Sequence, residues 1–319
     1  MSVSVLRESE YPSFMDETVA PALKEVRTDG TFSGCDGNPL CYHVYRAENP
    51  KGNVVVVHGF TESSEKYDEM CWYFLRSGYS VYLFDHRGHA KSYRAVPDLT
   101  LTHVDRFEDY VRDLECFLDQ VVPSDLPLYL YSHSMGGGVA ALYLEDHPEV
   151  FRKAVLSSPM IAPSTGNYPA FVGKAICRLM ILFGQGKKRI FLSGEYPGKE
   201  SFADSCGNSE VRFARYELFR RTHPDYQNFS PTYRWTLESL KVPKKILKKG
   251  RPEGIRTKVL VLSAGLDNMV LNPPQKEFAS RVPDCRLEEF PTAKHEIFIS
   301  TDEIMEKYVP AVLEFLSED

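Results

Sequence analysis

No stretch of this chain approaches the roughly 18 uninterrupted apolar residues that a membrane-spanning helix needs, which excludes a spanning segment of that kind. The opening residues, MSVSVLRESEYPSFMDETVAPALKEV, are broken by charges every few positions and lack the apolar centre of a signal peptide. The seven cysteines, at 35, 41, 71, 116, 177, 206 and 285, are odd in number and form no C-x-x-C pair, which argues against a disulfide framework or a zinc site. An excess of basic charge is also missing. With 38 Lys and Arg against 44 Asp and Glu the formal charge is -6, so the electrostatic footprint of a nucleic-acid binder is absent. No internal repeat or low-complexity segment occurs. These absences lead us to expect a soluble, cytoplasmic protein with reduced thiols and no nucleic-acid partner.

What is present is a pattern of apolar runs and helical periodicities. At 319 residues, 43% of them hydrophobic, the chain can bury a substantial core in one large α/β domain or two smaller ones. LCYHVYRA (40–47) alternates like a strand, and NVVVVHG (53–59) and YSVYLFDHRG (79–88) read as strands buried on both faces. SEKYDEMCWYFLRSG between the last two reads as a helix that Gly78 ends, and DRFEDYVRDLECFLDQVV (105–122) as another. LPLYLYS (126–132) is a further strand, GGGVAALYLEDHP a helix, and KAVLSSP (153–159) the next strand. Strands in alternation with helices predict a mostly parallel sheet. From Pro159 to Thr257 that alternation lapses, too long a gap for an ordinary connection, so a separate element is expected there. The sheet resumes with TKVLVLSAG (257–265) and CRLEEFP (285–291), and a last helix runs from about Asp302 to Leu316.

YSHSMGGGV (131–139) places Ser134 directly after a strand and before a helix, and its centre nearly matches the G-x-S-x-G nucleophile elbow. Ser132 stands where the first glycine usually does. A serine hydroxyl needs a base to take its proton and an acid to orient that base, in the chain order Ser, Asp or Glu, His. Asp267, after the strand VLVLSAG, and His295, after CRLEEFP, satisfy that order on loops at the carboxyl edge of the sheet. The remaining histidines precede the motif or lack a late strand before them; His133 is expected to point away, and His58 and His86 to shape loops. An oxyanion would be held by the N–H of Met135, after the nucleophile, and that of Phe60, in the loop HGF after the 53–57 strand.

With these pieces in place the chain resembles the α/β-hydrolase superfamily, specifically its bacterial lysophospholipase and monoacylglycerol-lipase-like branch. HSMGG (133–137), DHRGHAKS (85–92), DRFEDYVRDL (105–114), LDNMV (266–270) and PTYRWTLES (231–239) carry the resemblance, which spans most of residues 40 to 317. It implies an α/β-hydrolase fold, with a mostly parallel central sheet flanked by helices and a helical cap inserted after the strand that follows the nucleophile helix. The core would comprise residues 1–158 and 258–319 and the cap residues 159–257. It also implies hydrolysis of the ester of a monoacyl lipid through an acyl-enzyme, with Ser134, Asp267 and His295 as nucleophile, acid and base, and with no metal or cofactor.

Within the insertion, YPAFVGKAICRLMILFG (168–184) carries Phe171, Leu179 and Phe183 on one helical face, an expected acyl pocket wall, and Tyr233 and Trp235 are candidates for the rest of it. KVPKKILKKGR (241–251) places five lysines and an arginine within 11 residues, which suggests weak contact with anionic lipid at the inner face of a membrane against the commoner solvated face. A rival reading is a short-chain carboxylesterase, or an aminopeptidase in which Glu195, Glu200, Asp204, Glu210, Glu217 or Asp225 holds the substrate ammonium. A binding protein without catalysis would not need the Ser, Asp and His set.

Overall fold

The computed structural model of the protein describes residues 4–318. Eight strands build the central sheet: β1 (Arg27–Ser33), β2 (Pro39–Tyr45), β3 (Asn53–Val57), β4 (Ser80–Phe84), β5 (Leu128–His133), β6 (Lys153–Ser157), β7 (Lys258–Ala264) and β8 (Cys285–Phe290). Their spatial order is β1-β2-β4-β3-β5-β6-β7-β8. The β1-β2 and β2-β4 pairs are antiparallel, and from β4 to β8 every neighbour is parallel.

The parallel strands are apolar throughout because both faces are covered. Val55 and Val57 point into a core with Leu114, Val139 and Phe278, whereas Val54 and Val56 point to the opposite core with Phe74, Tyr131 and Tyr308. One layer holds the helices α2 (Glu108–Val121), α3 (Met135–Asp146) and α7 (Asn272–Arg281); the other holds α1 (Asp68–Arg76) and α8 (Asp302–Ser317). The helix boundaries differ from the sequence expectations by a few residues, since α1 is preceded by a 3-10 turn over Ser64–Tyr67. β1 was not foreseen: its sequence RTDGTFS is mostly exposed and carries a glycine, so neither composition nor burial marks it as a strand.

Between β6 and β7, residues 158–257 add no strand to the central sheet. They contain α4 (Ala170–Leu182), α5 (Glu210–Thr222) and α6 (Tyr233–Ile246), and Ser230–Pro231 pairs with Leu101–Thr102 in a separate two-stranded ribbon. α6 is amphipathic and sends Trp235, Val242 and Ile246 into the first core. α5 is clamped by Arg212, which is fully buried. Its guanidinium pairs with Glu69 of α1 at 3.0 Å and donates to the carbonyls of Leu6 and Ser300, so the N-terminal segment, the core and the insertion share one buried charge. Breaking such a pair from one side leaves a charge uncompensated, which makes it a rigid tie. Among the described residues no helix is long and apolar enough to cross a membrane.

Backbone strain concentrates at one edge of the sheet. Among the described residues the four non-glycine positions with positive φ, Thr61, Ala90, Ser134 and Ser158, follow β3, β4, β5 and β6. Strain of this kind costs about 1–3 kcal/mol per residue and persists only where surrounding contacts impose it.

The sharpest of these turns depends on Gly136. A Cβ there would collide with the carbonyl oxygens of Val57 and His58, neither of which can move without displacing β3. Gly136→Ala is therefore expected to destabilise the fold by more than about 3 kcal/mol in urea unfolding, whereas Gly194→Ala, which meets nothing within 4 Å, should stay within about 0.5 kcal/mol of the parent.

Candidate active site

Ser134 is the single residue between β5 and α3. Its backbone adopts φ +52° and ψ -119°. The conformation is held by its own N–H donating to Ser157 O at 3.1 Å, and by its carbonyl accepting from Met160 at 2.8 Å and Gly138 at 3.2 Å. Ser132, in place of the usual glycine, is tolerated because its side chain turns into the sheet, where its hydroxyl donates to Val155 O at 3.3 Å.

The loops after β7 and β8 bring the two expected partners to this serine. His295 Nε2 lies 2.8 Å from Ser134 Oγ and His295 Nδ1 lies 2.7 Å from Asp267 Oδ2. The other Asp267 oxygen accepts from the N–H groups of Met269 and Val270 at 2.8 and 3.0 Å. Burial raises the affinity of the Asp267 carboxyl for protons, but the hydrogen bond and charge of His295 and the two backbone donors outweigh it and hold the group below its usual value. An ionised Asp267 selects the tautomer with the proton on Nδ1, leaving Nε2 to accept the serine proton. The set can thus generate a serine nucleophile.

Met135 follows the serine at the start of α3, and Phe60 lies in the loop after β3. A Cβ on Gly59 would stand 3.1 Å from Ser134 Cβ, so the loop after β3 passes directly beside the hydroxyl. Among the described residues the N–H groups of Phe60 and Met135 donate to no other group, and Met135 opens α3, where the helix dipole is positive. His58, His86 and His89 pack behind this loop, their basicity lowered by burial, and His89 accepts from the Thr61 N–H at 3.3 Å.

A buried charge network links the loops of the site, and sequence reasoning missed it. Glu62 accepts from the Gly59 N–H at 2.6 Å and from the Tyr67 hydroxyl at 2.6 Å. Its other oxygen lies 2.9 Å from His133 Nδ1 and 3.3 Å from Lys66 Nζ, and Lys66 reaches Glu296 at 2.5 Å. His133 Nε2–H in turn donates to the carbonyl of His295 at 3.3 Å. Burial opposes the Glu62 charge, but His133 and Lys66 hold its carboxyl well below the usual range; burial likewise opposes the His133 charge, and Glu62 raises its basicity. The signal was an acid three residues after the HG of the loop that follows β3, which has meaning only once His133 and Lys66 are seen to converge on it.

The expected pocket residues divide. An apolar cavity of about 520 Å³ lies between α4, α6 and the segments 163–169 and 190–192, and Trp235 lines it, its ring 4.1 Å from that of Phe60. Phe171, Leu179 and Phe183 do not line it; they are exposed, and Val172, Gly173 and Ile176 face the cavity. α4 is apolar almost all round, so its periodicity could not indicate which face turns inward. Tyr233 packs instead into a small core with Cys177 and Leu237. The cavity wall is joined to the triad: Pro163 bridges to Val270 in the Asp267 loop, and Ser164 N–H donates to Met269 O at 2.8 Å. The basic run 241–251 is partly neutralised, as Lys241 pairs with Glu238, Lys245 with Glu108, and Arg251 with Glu145 and Asp146.

The chain is similar to known proteins. Residues 48–302 match the family described as serine aminopeptidase, S33. The chain is 28% identical to a probable lysophospholipase L2 of Haemophilus influenzae, over 98% of this chain and 99% of that protein. It is also 28% identical to lysophospholipase L2 of Escherichia coli K12, over 98% and 93%. A soluble variant of monoglyceride lipase from Saccharomyces cerevisiae, solved with a substrate analogue, superimposes with a TM-score of 0.70 at 21% identity, over 90% of this chain and 94% of that one.

The Glu62 network gives a pH signature. The unfolded-state values are about 4.3 for Glu and 6.5 for His. A carboxyl whose folded value is depressed stabilises the fold above its unfolded value and loses that contribution as pH falls through the folded one. A histidine whose folded value is raised stabilises below its unfolded value and loses it as pH rises. The melting-temperature deficit of Glu62→Gln should therefore be largest between about pH 4.5 and 6.5 and shrink as the pH rises above that range. A deficit independent of pH would contradict the ionised pair.

Proposed function

The chain belongs to the serine aminopeptidase S33 family, and on that premise we propose that it hydrolyses the carboxylic ester of a single-chain lipid, a lysophospholipid or a monoacylglycerol. Ser134 Oγ attacks the ester carbonyl as His295 Nε2 takes its proton; the N–H groups of Phe60 and Met135 meet the oxyanion; His295 passes the proton to the departing alcohol. Water then repeats the sequence on the acyl-enzyme, with His295 again as base, and releases the fatty acid and Ser134. Asp267 keeps the imidazole oriented and stabilises its charged form.

The observation that carries the choice of substrate is the lining of the cavity beside Trp235, which contains no charged side chain. Such a wall suits an acyl chain and offers nothing to hold the ammonium of a peptide N-terminus. Glu200, one of the acids considered for that task, is engaged by Arg220. The names of the two lysophospholipase relatives support the same reading. Residues 159–257 act as a cap that builds the acyl site over the serine, and seven free cysteines suit a reducing cytoplasm.

Ile176 lies on the inner face of α4. Ile176→Trp should fill the cavity and lower kcat/KM for a long-chain lysophospholipid or monoacylglycerol by about tenfold or more, with acetate ester hydrolysis within about twofold of the parent. Equal loss on long and short esters, or faster release of amino-acid anilides than of long-chain esters by the parent, would overturn the lipid reading.

A further inference from the structure

The acyl cavity touches the surroundings of Ser134 on two sides through its own wall. On the acid side, the wall residues Pro163 and Ser164 pair with Val270 and Met269, whose N–H groups hold the Asp267 carboxylate. On the other side stands Trp235, a buried wall residue whose ring lies 4.1 Å from that of Phe60, with the two planes 33° apart. Phe60 itself does not line the cavity, so the indole is what connects the cavity to the loop after β3.

That loop is held on both sides of Phe60. The Gly59 N–H is taken by Glu62 and the Thr61 N–H by His89, and Thr61 sits at φ +60°, a conformation that only surrounding contacts maintain. His58 Nε2 accepts from the His86 N–H at 2.9 Å, which leaves the ring proton on Nδ1 to be donated to the Gly59 carbonyl at 2.8 Å. In a trans peptide the Phe60 N–H points away from that carbonyl. Its aim is therefore set by His58 at one end of the peptide and by the Phe60 side chain at the other. The Phe60 ring rests on Trp235 and, edge-on at 6.3 Å, on His89; of the two, Trp235 lines the cavity.

We propose that Trp235 is a positioning residue that couples the filling of the acyl cavity to the Phe60 N–H, so that the binding of a long acyl chain is expressed in kcat. A chain packed along the indole fixes it against Phe60 and aims the N–H at the oxyanion; a short ester leaves the indole free to shift, and the donor with it. Binding energy from a remote part of the substrate raises kcat in this way when it orders a group that acts in the transition state. The inference rests on the lipid-ester reading, with Phe60 as a donor. A residue that served as pocket wall alone would change KM and leave kcat as it was.

Steady-state kinetics on p-nitrophenyl esters from acetate to decanoate read the coupling as the ratio of kcat for decanoate to kcat for acetate. The ratio should be about tenfold or more in the parent and fall to within about twofold of unity in Trp235→Leu, with KM for decanoate within about threefold of the parent value. Trp235→Phe, which keeps a ring against Phe60, should recover most of the ratio. Phe60→Leu keeps the N–H and lies outside the cavity wall, and it serves as the second variant if Trp235→Leu folds poorly. It should flatten the ratio as Trp235→Leu does, and the double variant should lose no more than either single one. Maximal rates of inactivation by ethyl and decyl fluorophosphonates, which need Ser134 and its oxyanion donors but no ester, should follow the same pattern. A parent that the decyl reagent inactivates faster, yet that hydrolyses no long-chain ester, would keep the coupling and lose the lipid reading. A ratio near unity in the parent, a loss confined to KM in both single variants, or additive losses in the double variant would overturn the proposal.

Discussion

One residue, Ser134, is held at φ +52° and ψ -119° in a turn with no spacer between β5 and α3, and the remainder of the site is arranged around that constraint. The turn lifts the hydroxyl clear of the sheet edge and points the first N–H of α3 toward it. It survives because α3 packs on the end of β3 at Gly136, where no side chain fits, and because the serine carbonyl is tied forward to Gly138 and across to Met160. Strain that would cost an isolated peptide about 1–3 kcal/mol is here imposed by backbone contacts with β3 and β6.

From that turn the charged groups extend in two directions. On one side stand His295, its tautomer set by Asp267, and Asp267, its carboxylate held by the backbone N–H groups of its own loop. On the other lies Glu62, which joins the loop after β3, through Gly59, to His133, the residue before Ser134, and through Lys66 to Glu296, the residue after His295. Three loops from different strands therefore share one buried set of ionised groups, in which displacement of any member leaves a charge without its partner. The acyl side is held to the same frame, since the first residues of the insertion pair with the Asp267 loop and Trp235 rests on Phe60.

The parallel strands and the three residues that meet at the serine were legible in the sequence because their determinants are local: an apolar run, a small-residue turn, and an acid and a histidine after late strands. β1 escaped because an edge hairpin exposed on its surface needs little apolar character, and the helical turns from Tyr11 to Val26 because Arg212, whose guanidinium lies 4.9 Å from the Tyr11 ring, is far away in the chain. Glu62, His133 and Lys66 each read as ordinary loop or strand-end residues until the fold brings them together. The face of α4 could not be read at all. Phe171, Leu179 and Phe183 are spaced as a lining should be, but on a helix apolar round most of its circumference spacing carries little orientation, and the packing of Ile176 and Cys177 against α6 decides it.

The central claim is that Ser134 is the nucleophile activated by His295. The most direct test is to label the protein with a fluorophosphonate, digest it and locate the adduct by mass spectrometry, comparing the parent with His295→Ala. The account predicts one adduct, on Ser134, formed at least about a thousandfold more slowly without the imidazole. An adduct on another residue such as Ser158, or ester hydrolysis that continues while Ser134 remains unmodified, would contradict it.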